Sequence, residues 1–165
     1  MGLAGFTLVE LLVTLGIVII LAALLVPNAG RVLDRAQGVV CTSKLRNLWV
    51  CFSSSLTDGS SWPQLPAGIA VDSPEEQRWW LDYSEKNLGM HSSDWQCPVL
   101  MRRGARMNNA ATVSVISYLP TLFDASPSSP KSWPRMPWFT EMAAPHGKGN
   151  LSVRADGSVC PVFDP

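Results

Sequence analysis

The sequence predicts an α+β protein in which one long N-terminal helix packs on a small antiparallel sheet. Three observations carry this. Glu10 is the only charged side chain before Arg31, and Leu11 to Val26 is free of charge. Apolar residues then recur at helical spacing from Arg31 to about Ser55. Every proline except Pro27 lies after residue 60, where short strand-like runs alternate with turn residues.

The front helix runs from Phe6 to Val26. At 1.5 Å per residue it is about 31 Å long, enough to cross a bilayer core. A cleaved secretory signal and a plain signal anchor are the rival readings. The apolar run is long for a signal peptide, and Val26-Pro27-Asn28 is a poor cleavage site. Glu10 also stands where a signal peptide carries positive charge. Hydrocarbon penalises an ionised carboxylate by a few kcal/mol or more, so Glu10 signals function and needs a partner.

The middle, Arg31 to about Ser55, continues the same helix. Val32, Leu33, Ala36, Val39, Val40, Leu45, Leu48, Trp49 and Phe52 share one broad face, and Arg31, Arg35, Lys44 and Arg46 lie elsewhere. Pro27 removes a backbone donor and predicts a kink, and Gly38 is a second soft point. Ser53-Ser54-Ser55 followed by Thr57-Asp58-Gly59 marks the stop. The apolar face must be covered by the rest of the chain.

In the rear, Ser73-Pro74-Glu75-Glu76 is a helix start, leading into Gln77 to Glu85. Thr112 to Tyr118 reads as a strand, and Phe123 to Pro137 as a Pro/Ser-rich loop. Leu151 to Ala155, Asp156-Gly157 and Ser158 to Phe163 read as a hairpin. Its Asp-Gly suits a two-residue turn with positive φ at both centres.

With 165 residues there is room for one domain and an appendage. Thirteen basic side chains balance thirteen acidic ones, so nothing points to nucleic acid. Four cysteines, Cys41, Cys51, Cys97 and Cys160, suit an oxidising compartment. Cys41 and Cys51 lie about 15 Å apart along one helix, beyond disulfide reach. Each must therefore tie to the rear if all four are bonded, and two pairings remain open. A metal is not expected, because two histidines and no Cys-x2-Cys spacing make a poor zinc site. Arg154-Ala155-Asp156-Gly157 offers one carboxylate where Ca²⁺ takes six to eight oxygens. Arg102, Arg103 and Arg106 read as a solvated loop rather than a phosphate site. The seven tryptophans read as core and interface packing. No nucleophile–base pair or Gly-rich phosphate loop appears, so neither catalysis nor a cofactor is expected.

Gly5-Phe6-Thr7-Leu8-Val9-Glu10 and its apolar helix resemble the N-terminus of type IV prepilins and type II secretion pseudopilins. Gly5 matches the residue before the scissile bond, and Phe6 the first mature residue, which prepilin peptidase exposes and N-methylates. Glu10 matches the fifth mature residue, which would meet the α-amino group of Phe6 on a neighbouring subunit. Pro27 matches a proline common at the end of the apolar segment. The leader Met1-Gly2-Leu3-Ala4-Gly5 departs from such leaders in lacking Lys or Arg.

A second resemblance lies downstream. His146-Gly147, nine residues, then Asp156-Gly157 match the His-x9-Asp-Gly pattern of a group of pseudopilin-like proteins. Cys41-Thr42-Ser43-Lys44-Leu45-Arg46 and Cys97-Pro98 match two further motifs of that group, with Lys44 in place of Asn. The match favours Cys41–Cys97, and then Cys51–Cys160. His146 is expected to hydrogen-bond a backbone group before the hairpin.

The resemblance implies a leader over 1–5, a transmembrane and filament-core helix over 6–27, an amphipathic continuation over 28–58 and a periplasmic α+β head over 59–165. It implies a structural filament subunit in the inner membrane, with the C-terminal region periplasmic. The implied partners are prepilin peptidase, other pilin or pseudopilin subunits, the inner-membrane assembly platform and the lipid bilayer. The alternative is a membrane-anchored periplasmic enzyme or binding module outside any filament.

Overall fold

A computed structural model describes residues 7–57, 61–106, 115–126, 129–143 and 149–162. The protein is mixed helix and sheet, as expected. α1 spans Leu8–Thr57 and runs through Pro27 without a break in the helix. α2 spans Pro74–Leu88, a 3₁₀ turn Ser92–Trp95 and α3 Pro98–Arg106. β1 (Tyr118–Pro120), the short helix α4 (Ser129–Ser132), β2 (Phe139–Glu141), β3 (Leu151–Val153) and β4 (Val159–Pro161) follow. The strands form one antiparallel meander in sequence order. The chain divides into two compact units, 1–36 and 37–165, so the boundary falls inside α1.

In the second unit the C-terminal part of α1 is the spine of the core. Cys41, Leu45, Leu48, Phe52 and Leu56 recur every three or four residues and are buried. Cover therefore begins at Cys41. Val32, Leu33, Val39 and Val40, expected on the covered face, are exposed. Four successive seryl and threonyl hydroxyls, Ser53, Ser54, Ser55 and Thr57, donate to carbonyls three or four residues back. The helix thus continues through the serine cluster to Thr57, with these hydroxyls satisfied by its own carbonyls.

Phe52 is the aromatic hub. Its ring centroid lies 5.0 Å from Phe139, 5.4 Å from Trp62 and 6.1 Å from both Trp80 and Trp95. Trp62 continues the cluster to Trp138 and Phe123, with edge-on geometry favoured by the ring quadrupoles. Most tryptophans are thus core, while Trp133 is 60 % exposed.

α2 starts as its sequence dictates. Ser73 Oγ accepts the Glu76 N–H, the buried Glu76 carboxylate accepts the Asp72 N–H, and Pro74 opens the first turn. Gly89, at φ +64, closes it. The 3₁₀ turn, α3 and β2 had no counterpart among the sequence expectations. Of the strand expected over Thr112–Tyr118, only Tyr118 lies in a strand, and 112–114 lie outside the described residues.

The β3–β4 hairpin forms with Leu151 opposite Pro161 and Val153 opposite Val159, but its turn corrects the two-residue expectation. Gly157 N–H donates to Arg154 O, Arg154 N–H donates to Ser158 O, and Gly157 alone has positive φ, +78. Asp156 keeps an ordinary backbone and accepts the Ser158 N–H on its side chain. A five-residue connection with glycine at its left-handed position thus replaces the tighter turn.

Candidate functional site

Three places hold the residues singled out by the sequence. The first is the start of α1. The Glu10 carboxylate accepts the Thr7 N–H at 3.1 Å and the Thr7 hydroxyl at 3.0 Å, while Thr7 Oγ1 lies 3.3 Å from the Glu10 N–H. This is a capping box, Thr-x-x-Glu, that satisfies orphan N–H groups at the helix start. The pattern was legible in the sequence, and Thr7 was missed. From Leu8 to Leu24 every residue is exposed, the large apolar side chains by 52 % at Val13 to 80 % at Leu8. Among the described residues no helix is long and apolar enough to cross a membrane. The expected span of 6–27 reaches past the described side chains at both ends. Gly5 and Phe6 lie outside the described residues.

The second place is a buried cluster in the head. Cys41 Sγ on α1 and Cys97 Sγ, just before α3, stand 2.8 Å apart, and both thiols are fully buried. Tyr118 and Glu141 are directly opposite each other on β1 and β2, so both side chains point to the same face. That face meets the cysteines: one carboxylate oxygen of Glu141 and the two sulfurs lie within 4.8 Å of one another. Glu141 is fully buried, and it accepts a long hydrogen bond from the Leu151 N–H, 3.4 Å. Lys44, one turn after Cys41, donates to Ser93 O at 2.6 Å and Gln96 O at 2.9 Å. It fixes the segment that presents Cys97.

The two thiols are polarised in opposite senses. The hydrogen bond from Cys97 holds the Cys41 thiol below its ordinary value, and the Tyr118 hydroxyl and Lys44 act in the same direction. That same bond, with burial, pushes Cys97 up. Burial, foremost, and the bond to Cys41 push Tyr118 up. Cys41 is thus the more acidic thiol of the pair. Two thiolates on one tetrahedral zinc, with bonds near 2.3 Å, would stand about 3.8 Å apart. The separation of 2.8 Å fits a pair poised to bond to each other better than a pair holding a metal. Tyr118 and Glu141 were missed because nothing in the sequence marks a lone strand carboxylate as buried.

None of the four cysteines is disulfide-bonded in the structure. The sulfurs of Cys41 and Cys97 are adjacent. Cys51 and Cys160 are half-buried. Burial, then the charge of Asp94, pushes the Cys51 thiol up, and Cys160 Sγ lies 3.9 Å from Ser152 Oγ.

The third place is the hairpin turn. Trp49 Nε1 donates to Ala155 O at 3.1 Å, and the Trp49 ring lies against Gly157. A Cβ on Gly157 would stand 3.1 Å from that ring. The Asp156-Gly157 motif therefore has a local job, docking the turn on α1. His146 and Gly147 lie outside the described residues, as do the side chains of Arg103 and Arg106; Arg102 is half-buried. Comparison with protein-family models, with characterised proteins and with solved structures finds no match to this chain.

Proposed function

We propose that the chain is a structural subunit of an envelope filament, a pseudopilin or minor pilin, cut between Gly5 and Phe6 by a prepilin peptidase. The observation that carries this is the front of α1. Its side chains from Leu8 to Leu24 are exposed around the whole circumference, and Glu10 is the only charge among them. A helix apolar all round is stable only in lipid or among other apolar helices. A filament subunit uses both in turn, first the inner membrane and then the filament core. Residues 37–165, which include the C-terminal part of α1, form a compact unit of their own.

The test is the mature N-terminus. Mass spectrometry of the protein from its own host should find chains beginning at N-methyl-Phe6, and Gly5→Leu should leave full-length precursor in the inner membrane. Normal maturation of that variant would overturn the assignment.

One observation favours a second reading, a membrane-anchored module outside any filament. The capping box gives Glu10 a purpose within a single chain. Two substitutions separate the readings. Thr7→Val weakens the cap and keeps the charge, so incorporation should survive. Glu10→Gln keeps a cap acceptor and removes the charge, so cross-linking to filament partners should fall sharply. Loss of incorporation in Thr7→Val alone would leave Glu10 with only its capping role and favour the anchor.

A further inference from the structure

The two buried sulfurs of the head belong to residues that are each held in place independently. Cys41 is the first buried residue of α1 after that helix enters the second unit at Gln37. Cys97 stands at the N-cap of α3. Its carbonyl accepts the Met101 N–H, and the N–H groups of Leu100 and Val99 reach its sulfur. Lys44, one turn along α1 from Cys41, binds the Ser93 and Gln96 carbonyls in the segment that leads to Cys97. Both partners are thus positioned before any bond forms. Their sulfurs are 2.8 Å apart, about 0.8 Å beyond a covalent S–S length.

The other two cysteines are placed differently. Phe139 packs on Phe52 of α1. Val153 lies directly opposite Phe139, and Val159 directly opposite Val153, so all three share the sheet face turned to the helix. Side chains alternate along a strand. Cys160 and Ser152 therefore share the other face, where Cys160 Sγ lies 3.9 Å from Ser152 Oγ. Cys51, next to Phe52 on α1, packs against the core on the helix side. The sheet stands between Cys51 and Cys160.

We propose that Cys41 and Cys97 close as the one internal disulfide of the head, a staple that ties α1 down where the helix first becomes buried, and that Cys51 and Cys160, which the matched motifs would pair, stay unlinked to each other. The oxidant is a donor disulfide, from glutathione or a thiol–disulfide oxidoreductase. One protein thiol attacks the donor, forms a mixed disulfide and releases one donor thiol. The second protein thiol attacks the protein sulfur of that mixed disulfide and expels the other donor thiol. Two protein thiols give up two electrons and two protons, and one donor disulfide becomes two thiols.

The location gives the bond a mechanical sense. A pull along the front of α1 enters the second unit at Gln37 and meets no buried side chain before Cys41. Beyond it, Leu45, Leu48, Phe52 and Leu56 are held by apolar packing, which a pull would peel one turn at a time from the Cys41 end. A covalent tie at the first turn stops peeling at its start. The tie also spans 56 residues of sequence, so it removes the freedom of a long loop from the unfolded chain. That such a pull exists in the cell rests on the filament reading; the bond itself does not.

The experiment uses the full chain in detergent micelles, reduced, reoxidised with glutathione disulfide, alkylated and digested without reductant. Mass spectrometry should find Cys41 and Cys97 in one linked pair of peptides, and Cys51 and Cys160 each modified singly. A Cys51–Cys160 link, or four singly modified cysteines, would overturn the assignment. So would zinc retained at one per chain with Cys41 and Cys97 unlinked. Reduction should lower the urea midpoint of the head by about 1–2 M, the scale of a long closed loop. Amide exchange of the oxidised and reduced chains locates the effect: protection should be lost chiefly over Cys41 to Leu48 and least near Leu56. Equal loss along that whole stretch, or none, would refute the staple. If the reduced head unfolds, Cys41→Val with Cys97→Ala supplies an unlinked chain with an apolar filling, and the peptide map decides the pairing in either case. None of these results bears on the filament reading, which is tested at Gly5, Phe6 and Glu10.

Discussion

Replacing Gly157 by alanine tests how the hairpin is docked on the helix. Two costs are separable. Gly157 sits at φ +78, where an L-residue pays about 1 kcal/mol relative to glycine. Its new Cβ would also stand 3.1 Å from Cε3 and Cζ3 of Trp49, tighter than ordinary carbon contacts. Trp49 can give way only by shifting its ring, which pulls Nε1 off Ala155 O and forfeits a hydrogen bond of about 1 kcal/mol. The sum is about 2–4 kcal/mol, a large share of the stability of a domain this size. The assay is urea unfolding of the full chain in detergent, followed by tryptophan fluorescence. The decisive version is a double-mutant cycle with Trp49→Leu. In that background Gly157→Ala should cost only the backbone part, about 1 kcal/mol. Strictly additive costs would refute the claim that Trp49 is what requires glycine here.

Phe52→Ala should destabilise the head by about 3–5 kcal/mol, because it opens the centre of the aromatic cluster, whereas Val50→Ala on the exposed face should change little; denaturant midpoints decide. Lys44→Met keeps the stem and removes two charge-assisted bonds to Ser93 O and Gln96 O, so the head should lose about 1–3 kcal/mol, and amide exchange around 93–97 should speed up. Asp156 is held below its ordinary carboxylate value by hydrogen bonds from the Ser158 hydroxyl and N–H. Its contribution to stability is therefore present above the ordinary carboxylate range and lost as pH falls through the lowered value, so Asp156→Asn should matter at pH 6 and cease to matter near pH 2. A stability gap that persists in strong acid would show that the carboxylate charge is not the cause.

The parts legible in the sequence are those where local chemistry decides. Ser73 with Pro74 and Glu76 fixed the start of α2, and the apolar spacing fixed α1 up to the serine cluster. The Asp156-Gly157 pair located the hairpin but not its turn, because both turn classes use glycine at a positive φ and differ only in the register that Trp49 and the strands impose. β2 was illegible. Three residues, Phe139, Thr140 and Glu141, alternate correctly for a strand but put a carboxylate on the inward side. Nothing local distinguishes that from a loop. The motif cysteines Cys41 and Cys97 were legible as a candidate pair, yet Tyr118 and Glu141, which complete the buried cluster around them, come together only through the register of β1 with β2.

The capping box at Thr7–Glu10 bears on how a carboxylate survives in an apolar segment at all. Both contacts from Thr7 fall on the same oxygen, Oε2. A carboxylate has about four acceptor sites on its two oxygens, so the cap uses part of its capacity. If the segment enters lipid, as the proposed function requires, the cap would replace some of the water that Glu10 gives up and so lower the cost of holding the charge there. A cationic amine supplied by a neighbour adds the attraction of opposite charges in a medium of low dielectric, which a hydroxyl and an amide cannot match. In the proposed filament the two roles would act in sequence: the cap would make the isolated subunit tolerable in the membrane, and the remaining acceptor capacity would give it a reason to associate. A register slip in the bundle would leave the carboxylate with Thr7 alone. The same residue thus starts the helix and, in the proposed filament, would favour one axial position over its neighbours.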